Sequence, residues 1–184
     1  KISDTFMMME TVLKNGTADA ILTGGLVANI LLAATKRPVG SGSLALIRKS
    51  GYEKLFKTAK ELYKNYPDKI ILPLDLAGSR NGLRIDHVFS EVPEDLDALD
   101  IGQKTAKMYA DHIRDAATVF FNGPMGVFEK EETSLGTRTV MEALGDSKAY
   151  TVVGGGDSIT ALKRFDQTDR VSYICTGGGA LIRF

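Results

Sequence analysis

Four short apolar runs, each closed by a cluster of glycines, constrain this chain more than any other feature. Ala20-Ile21-Leu22-Thr23 leads into Gly24-Gly25, and Thr118-Val119-Phe120-Phe121 into Asn122-Gly123-Pro124-Met125-Gly126. Tyr150-Thr151-Val152-Val153 leads into Gly154-Gly155-Gly156-Asp157, and Val171-Ser172-Tyr173-Ile174-Cys175 leads through Thr176 into Gly177-Gly178-Gly179. β-Branched and aromatic runs that end in glycine read as buried strands that turn sharply at one end. The glycines, 19 of 184 residues, are therefore placed rather than scattered, and they form no linker or low-complexity tract.

Helical patterns lie between these runs. Tyr52, Leu55, Phe56, Ala59, Leu62, Tyr63 and Tyr66 recur at three- and four-residue steps, which lines one helix face. Phe6, Met9 and Leu13 form a shorter stripe that should stop at Asn15-Gly16, and Met7-Met8-Met9 reads as packing material. Leu26 to Ala34, Gln103 to Arg114, Leu135 to Leu144 and Ser158 to Phe165 are further expected helices, and Lys69 to Leu74 a further strand. The stretch from Ala77 to Leu99 fits least well, with one strand expected near Ile85 to Phe89. Strands alternating with helices imply βαβ units. The expected fold is a three-layer, Rossmann-like α/β domain whose doubly wound, mainly parallel sheet carries helices on both faces.

Composition narrows the function classes. Lys plus Arg and Asp plus Glu are both 23, so the formal net charge is zero, which argues against a general nucleic-acid binder. The single cysteine, Cys175, rules out an internal disulfide and suits a reducing compartment; it reads as a small buried hydrophobe. No apolar run approaches the roughly 20 residues of a membrane span, and Lys1-Ile2-Ser3-Asp4 carries no signal region. The expectation is a cytoplasmic protein. His87 and His112 match no metal-ligand spacing and read as structural.

In open parallel sheets, ligands bind beyond the carboxyl ends of the strands, where these glycine clusters fall. Glycine admits a close ligand, and helix-opening amides suit phosphate; tight βα turns alone would use the same residues. The P-loop pattern is absent, because no Gly-Lys pair occurs. A G-x-G-x-x-G fingerprint fails as well: after Gly154 and Gly156 the third position is Ile159, and after Gly177 and Gly179 it is Ile182.

Longer strings decide the matter. Asn122-Gly123-Pro124-Met125-Gly126-Val127-Phe128-Glu129, Gly154-Gly155-Gly156-Asp157-Ser158 and Ser172-Tyr173-Ile174-Cys175-Thr176-Gly177-Gly178-Gly179-Ala180 resemble motifs of the phosphoglycerate kinase family. Lys1-Ile2-Ser3-Asp4, Leu72-Pro73-Leu74-Asp75 and Leu99-Asp100-Ile101-Gly102 match other segments of that family in the right order. The resemblance covers the carboxyl-terminal, nucleotide-binding half, so residues 1–184 are expected to form that one domain. The amino-terminal half, which holds 3-phosphoglycerate in a basic pocket, has no counterpart.

The resemblance implies a glycolytic kinase that moves a phosphoryl group between 1,3-bisphosphoglycerate and MgADP to give 3-phosphoglycerate and MgATP. It makes Asp157 the residue associated with nucleotide-bound Mg²⁺, a role compatible with an N-cap at the same place. Asn122 would contact phosphate, Pro124 and Val127 the base and ribose side, and Glu129 the ribose hydroxyls; without the match, Glu129 belongs to a solvated charge run. Gly24 and Gly25 would pack against the adenine, and Leu99, Gly126, Gly154, Gly155, Gly156 and Ser158 would belong to the nucleotide-binding set. Gly177, Gly178 and Gly179 would face the transferring group. Lys1 matches the family lysine that reaches the phosphates, which gives Lys1, Gly156 and Gly179 as the catalytic set.

Three positions depart from the family pattern: Thr5 where a second lysine is common, the segment Leu76 to Asp86, and Ala98 where glycine is typical. The chain alone is expected to bind ADP or ATP with Mg²⁺ but to lack useful turnover, since domain closure excludes water and aligns the groups. Two alternatives stay open: a non-catalytic nucleotide-sensing or partner-binding module on this fold, and an NAD-binding oxidoreductase domain.

Overall fold

The computed structural model describes residues 2–176. Eight strands and seven α-helices follow one another as α1 (Ile2–Lys14), β1 (Ile21–Leu22), α2 (Gly25–Ala34), α3 (Ser41–Lys49), α4 (Phe56–Asn65), β2 (Ile70–Ile71), β3 (Asp75–Arg80), β4 (Leu83–Val88), β5 (Asp100–Ile101), α5 (Gln103–Asp115), β6 (Thr118–Asn122), α6 (Leu135–Asp146), β7 (Tyr150–Gly154), α7 (Gly156–Arg164) and β8 (Tyr173–Cys175). No helix among the described residues is long and apolar enough to cross a membrane.

The stripe of α1 buries Phe6, Met9 and Leu13, and the helix ends where Thr17 N–H turns back to the Val12 carbonyl at 3.0 Å. Of the three consecutive methionines only Met9 is packed inside; Met7 is exposed. α4 opens through a 3-10 turn at Glu53–Leu55 and buries Ala59 and Leu62.

The strands form three sheets. β1 pairs parallel with β2, β6 with β7 and β7 with β8. β3 pairs antiparallel with both β4 and β5. Side chains alternate along a strand, and that alternation sorts the two parallel sheets differently. In β1 and β2, Ile21 and Ile70 join a cluster with Phe6, Met9, Ile30 and Leu62 on one face. Leu22 and Ile71 pack on the opposite face, against a second cluster containing Tyr109, Phe121, Met141 and Leu162. These strands are therefore covered on both sides.

The two faces of the β6–β7–β8 sheet differ in exposure. Phe121, Val153 and Ile174 face α5, α6 and α7 in the second cluster. Their neighbours Phe120, Val152 and Tyr173 stand in register on the other face, where Phe120 is 43% exposed and Tyr173 55%. Helices thus cover both faces of β1–β2, as expected, while Phe120 and Tyr173 on the outer face of β6–β8 stay exposed among the described residues.

Four expectations are corrected. The strand expected over Lys69 to Leu74 shrinks to Ile70–Ile71, because Pro73 lacks a donor and Leu74 N–H is taken by the Thr105 hydroxyl at 2.9 Å. The stretch after Asp75 is an antiparallel hairpin, not a single strand near Ile85. Its two-residue turn is Asn81-Gly82, with φ of 53° and 75°, the primed geometry favoured by the twist of the flanking strands. α3 had no counterpart in the sequence pattern, since Ser43 and Ile47 are its only buried residues. Cys175 is half-buried rather than enclosed.

Candidate functional site

The register of the parallel ladders sets Asn122, Gly154 and Cys175 side by side at the carboxyl ends of β6, β7 and β8. The chain leaves β7 through Gly155, whose φ of +93° is a conformation side-chained residues rarely adopt. A Cβ there would also lie 2.8 Å from Asn122 Oδ1, so the Asn122 amide sits directly over this turn. Gly155 is the N-cap and α7 begins at Gly156, two residues earlier than the sequence pattern places it. Asp157 is consequently not a cap. It is the second residue of the helix, exposed, where the macrodipole favours a carboxylate and the first N–H groups lack intrahelical partners.

Ser158 turns the other way. Its side chain is fully buried and its oxygen accepts from Gly123 N–H at 2.7 Å, tying the loop after β6 to the start of α7. That loop is fixed along its length. Met125 N–H donates to Thr137 Oγ1 at 3.0 Å, and the Met125 carbonyl accepts from Gly25 N–H at 2.8 Å. The latter bond brings the start of α2, capped by Gly24, against Pro124 and Met125. At Gly126 the backbone passes so close to β5 that a Cβ would meet the Leu99 carbonyl oxygen at 2.1 Å. Val127 N–H then donates to that same carbonyl at 2.7 Å, and the Val127 carbonyl accepts from Thr133 Oγ1.

The structure therefore gathers Gly24, Gly25, Leu99, Asn122, Pro124, Gly126, Val127, Gly154, Gly155, Gly156, Asp157 and Ser158 along one edge. Glu129 is exposed, and among the described residues no hydrogen bond or ion pair ties its side chain to this group. Lys1, Gly177, Gly178 and Gly179 lie outside the described residues. Among those described, no three His, Cys, Asp or Glu side chains converge as a metal cage. The chemistry fits Mg²⁺ only in one way: a single exposed carboxylate, Asp157, completed by ligand phosphates and water, which this cation prefers.

Two aspartates of the shorter motifs have structural work that the sequence did not reveal. Asp75 accepts from Lys104 and Thr105 N–H at 3.0 and 2.9 Å and so caps α5 from a distant strand. Asp100 accepts from Gly136 N–H at 2.8 Å and caps α6 in the same manner. Burial pushes the Asp100 carboxyl up to about 6, against the pull of Arg84 and of the Gly136 and Ile101 N–H groups. Asn29 and Ser43 were likewise missed. They bond the Ala98 carbonyl and N–H at 3.2 and 2.8 Å and hold the segment that carries Leu99 into β5.

Parallel strands whose glycine turns collect at their carboxyl ends define a Rossmann-like α/β domain, the class expected from the sequence. The chain belongs to the phosphoglycerate kinase family, whose family model matches residues 1–184. It is 41% identical over 184 residues to the phosphoglycerate kinase of Methanothermus fervidus, covering 100% of this chain and 45% of that protein. It is 41% identical over 182 residues to that of Methanothermobacter thermautotrophicus, covering 99% and 44%. Among solved structures, it is similar to the crystal structure of phosphoglycerate kinase from Pyrococcus horikoshii, with a TM-score of 0.92, 36% identity, and coverage of 100% and 46%. The chain thus spans less than half the length of these relatives.

Proposed function

We propose that residues 1–184 are the nucleotide-binding, carboxyl-terminal half of a phosphoglycerate kinase. The whole enzyme would move a phosphoryl group between 1,3-bisphosphoglycerate and MgADP in the cytoplasm. The 3-phosphoglycerate site would lie on the other half. What carries this function is the exposed carboxylate of Asp157 in the first turn of α7, which follows the Gly155 turn that the Asn122 amide overlies. Phosphate oxygens there meet helix N–H groups and a positive dipole end, and bound Mg²⁺ would offset their charge when shared with Asp157. Asn122 and the amides at Gly154 to Ser158 would bind and orient the phosphates. The half-buried surface formed by Gly24, Gly25, Leu99, Pro124 and Val127 would hold the base and ribose, with Glu129 at its rim. Lys1 and Gly177 to Gly179 would complete the site by family resemblance. Turnover needs the second half to close over the groups and exclude water, so the chain alone should bind without transferring phosphoryl.

Calorimetric titration with MgADP, with NAD and metal-free ADP as controls, tests this function. Selective MgADP binding, weakened about ten-fold (~1.4 kcal/mol) in Asp157→Ala, is the expected outcome. Equal binding by wild type and variant, or a preference for NAD, would overturn it.

A further inference from the structure

The hairpin β3–β4 lies in the segment where the sequence departs from the family pattern, and one of its side chains has an unusual number of partners. Arg84 is 14% exposed, and all five of its N–H groups are engaged. Nε and one Nη2 hydrogen bind Asp86 bidentately, both at 3.0 Å. The other Nη2 hydrogen reaches the Ile101 carbonyl at 2.8 Å. Nη1 binds Asp100 Oδ2 at 2.8 Å and the Glu132 carbonyl at 3.3 Å. Asp86 in turn accepts from Gln103 N–H at 2.8 Å.

These partners bracket the loop between β6 and α6. Asp100 follows Leu99, whose carbonyl receives Val127 N–H and meets the Gly126 backbone. Glu132 precedes Thr133, whose hydroxyl donates to the Val127 carbonyl. A rigid guanidinium fork thus grips both sides of the stretch that carries Pro124, Val127 and Glu129, while donating to none of them. We propose that Arg84 is a positioning residue for this loop: through Asp100 and the Glu132 carbonyl it sets where the loop meets a bound nucleotide. This role rests on the nucleotide-binding function proposed above. A lysine could keep the charge but not the planar five-donor geometry.

The test is Arg84→Lys, with Arg84→Met/Asp100→Asn as a second variant that leaves no buried carboxylate unpaired. Ile113→Val, in the last turn of α5, supplies a variant of lowered stability for comparison. Amide hydrogen exchange at Val127 and Gly136, against Val153 in β7, reads the loop; MgADP titration reads the site. The expected result is faster exchange at Val127 and Gly136 with Val153 unchanged, and MgADP affinity reduced on the order of ten-fold, while Ile113→Val keeps wild-type affinity. A uniform rise in exchange, with affinity unchanged in both Arg84 variants, would make Arg84 a purely structural ion-pair partner and overturn the proposal. If wild type binds no MgADP, the nucleotide function fails separately, and exchange at Val127 still decides whether Arg84 holds the loop.

Discussion

Asp100 occupies a position where two requirements pull apart. As a buried acceptor it must serve Gly136 N–H, Ile101 N–H and Arg84 Nη1 at 2.8 to 2.9 Å, which favours its charge. Burial disfavours that charge and wins, raising the carboxyl to about 6. The unfolded chain titrates near the ordinary value of about 3.9. The folded state therefore holds the proton more tightly than the unfolded state. Its contribution is fully present below about pH 4 and lost as pH rises through about 6. Relative to Asp100→Asn, wild-type stability should fall between pH 4 and 7 by an amount on the order of 2 kcal/mol. Urea unfolding of both proteins at the two pH values measures it. A difference that grows with pH would mean that Arg84 and the two N–H groups outweigh burial.

At the scale of elements, β6 separates two environments one residue apart. Phe121 is 6% exposed and belongs to the cluster under α5 and α6, whereas Phe120 faces outward at 43%. Phe121→Ala should cost about 3 kcal/mol or more through the cavity it leaves. Phe120→Ala should cost about 1 kcal/mol or less. Chemical denaturation of the two variants checks the contrast, and equal losses would show that the outer face is covered in solution. The same strand explains what the sequence disclosed. A run such as Thr118 to Phe121 identifies a buried strand by its β-branched and aromatic content, but cannot say which face lacks a partner. The hairpin β3–β4 was hidden because Leu83 and Ile85 are exposed and leave little apolar pattern. Its legible signal was the Asn81-Gly82 pair. α3 was hidden by Gly40-Ser41-Gly42-Ser43, which reads as a loop although a helix starts within it.

Across the whole molecule, the glycine turns were legible because each interrupts an apolar run, and long motifs identify the family. The ties that gather those turns were not, since they join residues far apart in sequence: Ser158 to Gly123, Asp100 to Gly136, and Tyr109 to Thr23. Tyr109 joins two parts of the molecule that no ladder connects. The β1–β2 and β6–β7–β8 sheets share no backbone pairing among the described residues, yet Leu22 and Ile71 pack on the cluster that contains Phe121 and Val153. Tyr109, fully buried on α5, supplies the polar link at that seam. Its hydroxyl lies 2.7 Å from the Thr23 carbonyl and 3.1 Å from that of Ile71, and burial holds the phenol far above its usual titration range. Tyr109→Phe keeps the ring and removes only the donor. It should lower stability by about 1 to 2 kcal/mol, because the Thr23 carbonyl loses its partner inside the protein. If packing alone holds the two sheets together, the urea midpoint falls with an unchanged m value. If the hydroxyl is what couples them, m also falls and exchange at Leu22 accelerates ahead of that at Val153, as the β1–β2 side opens first.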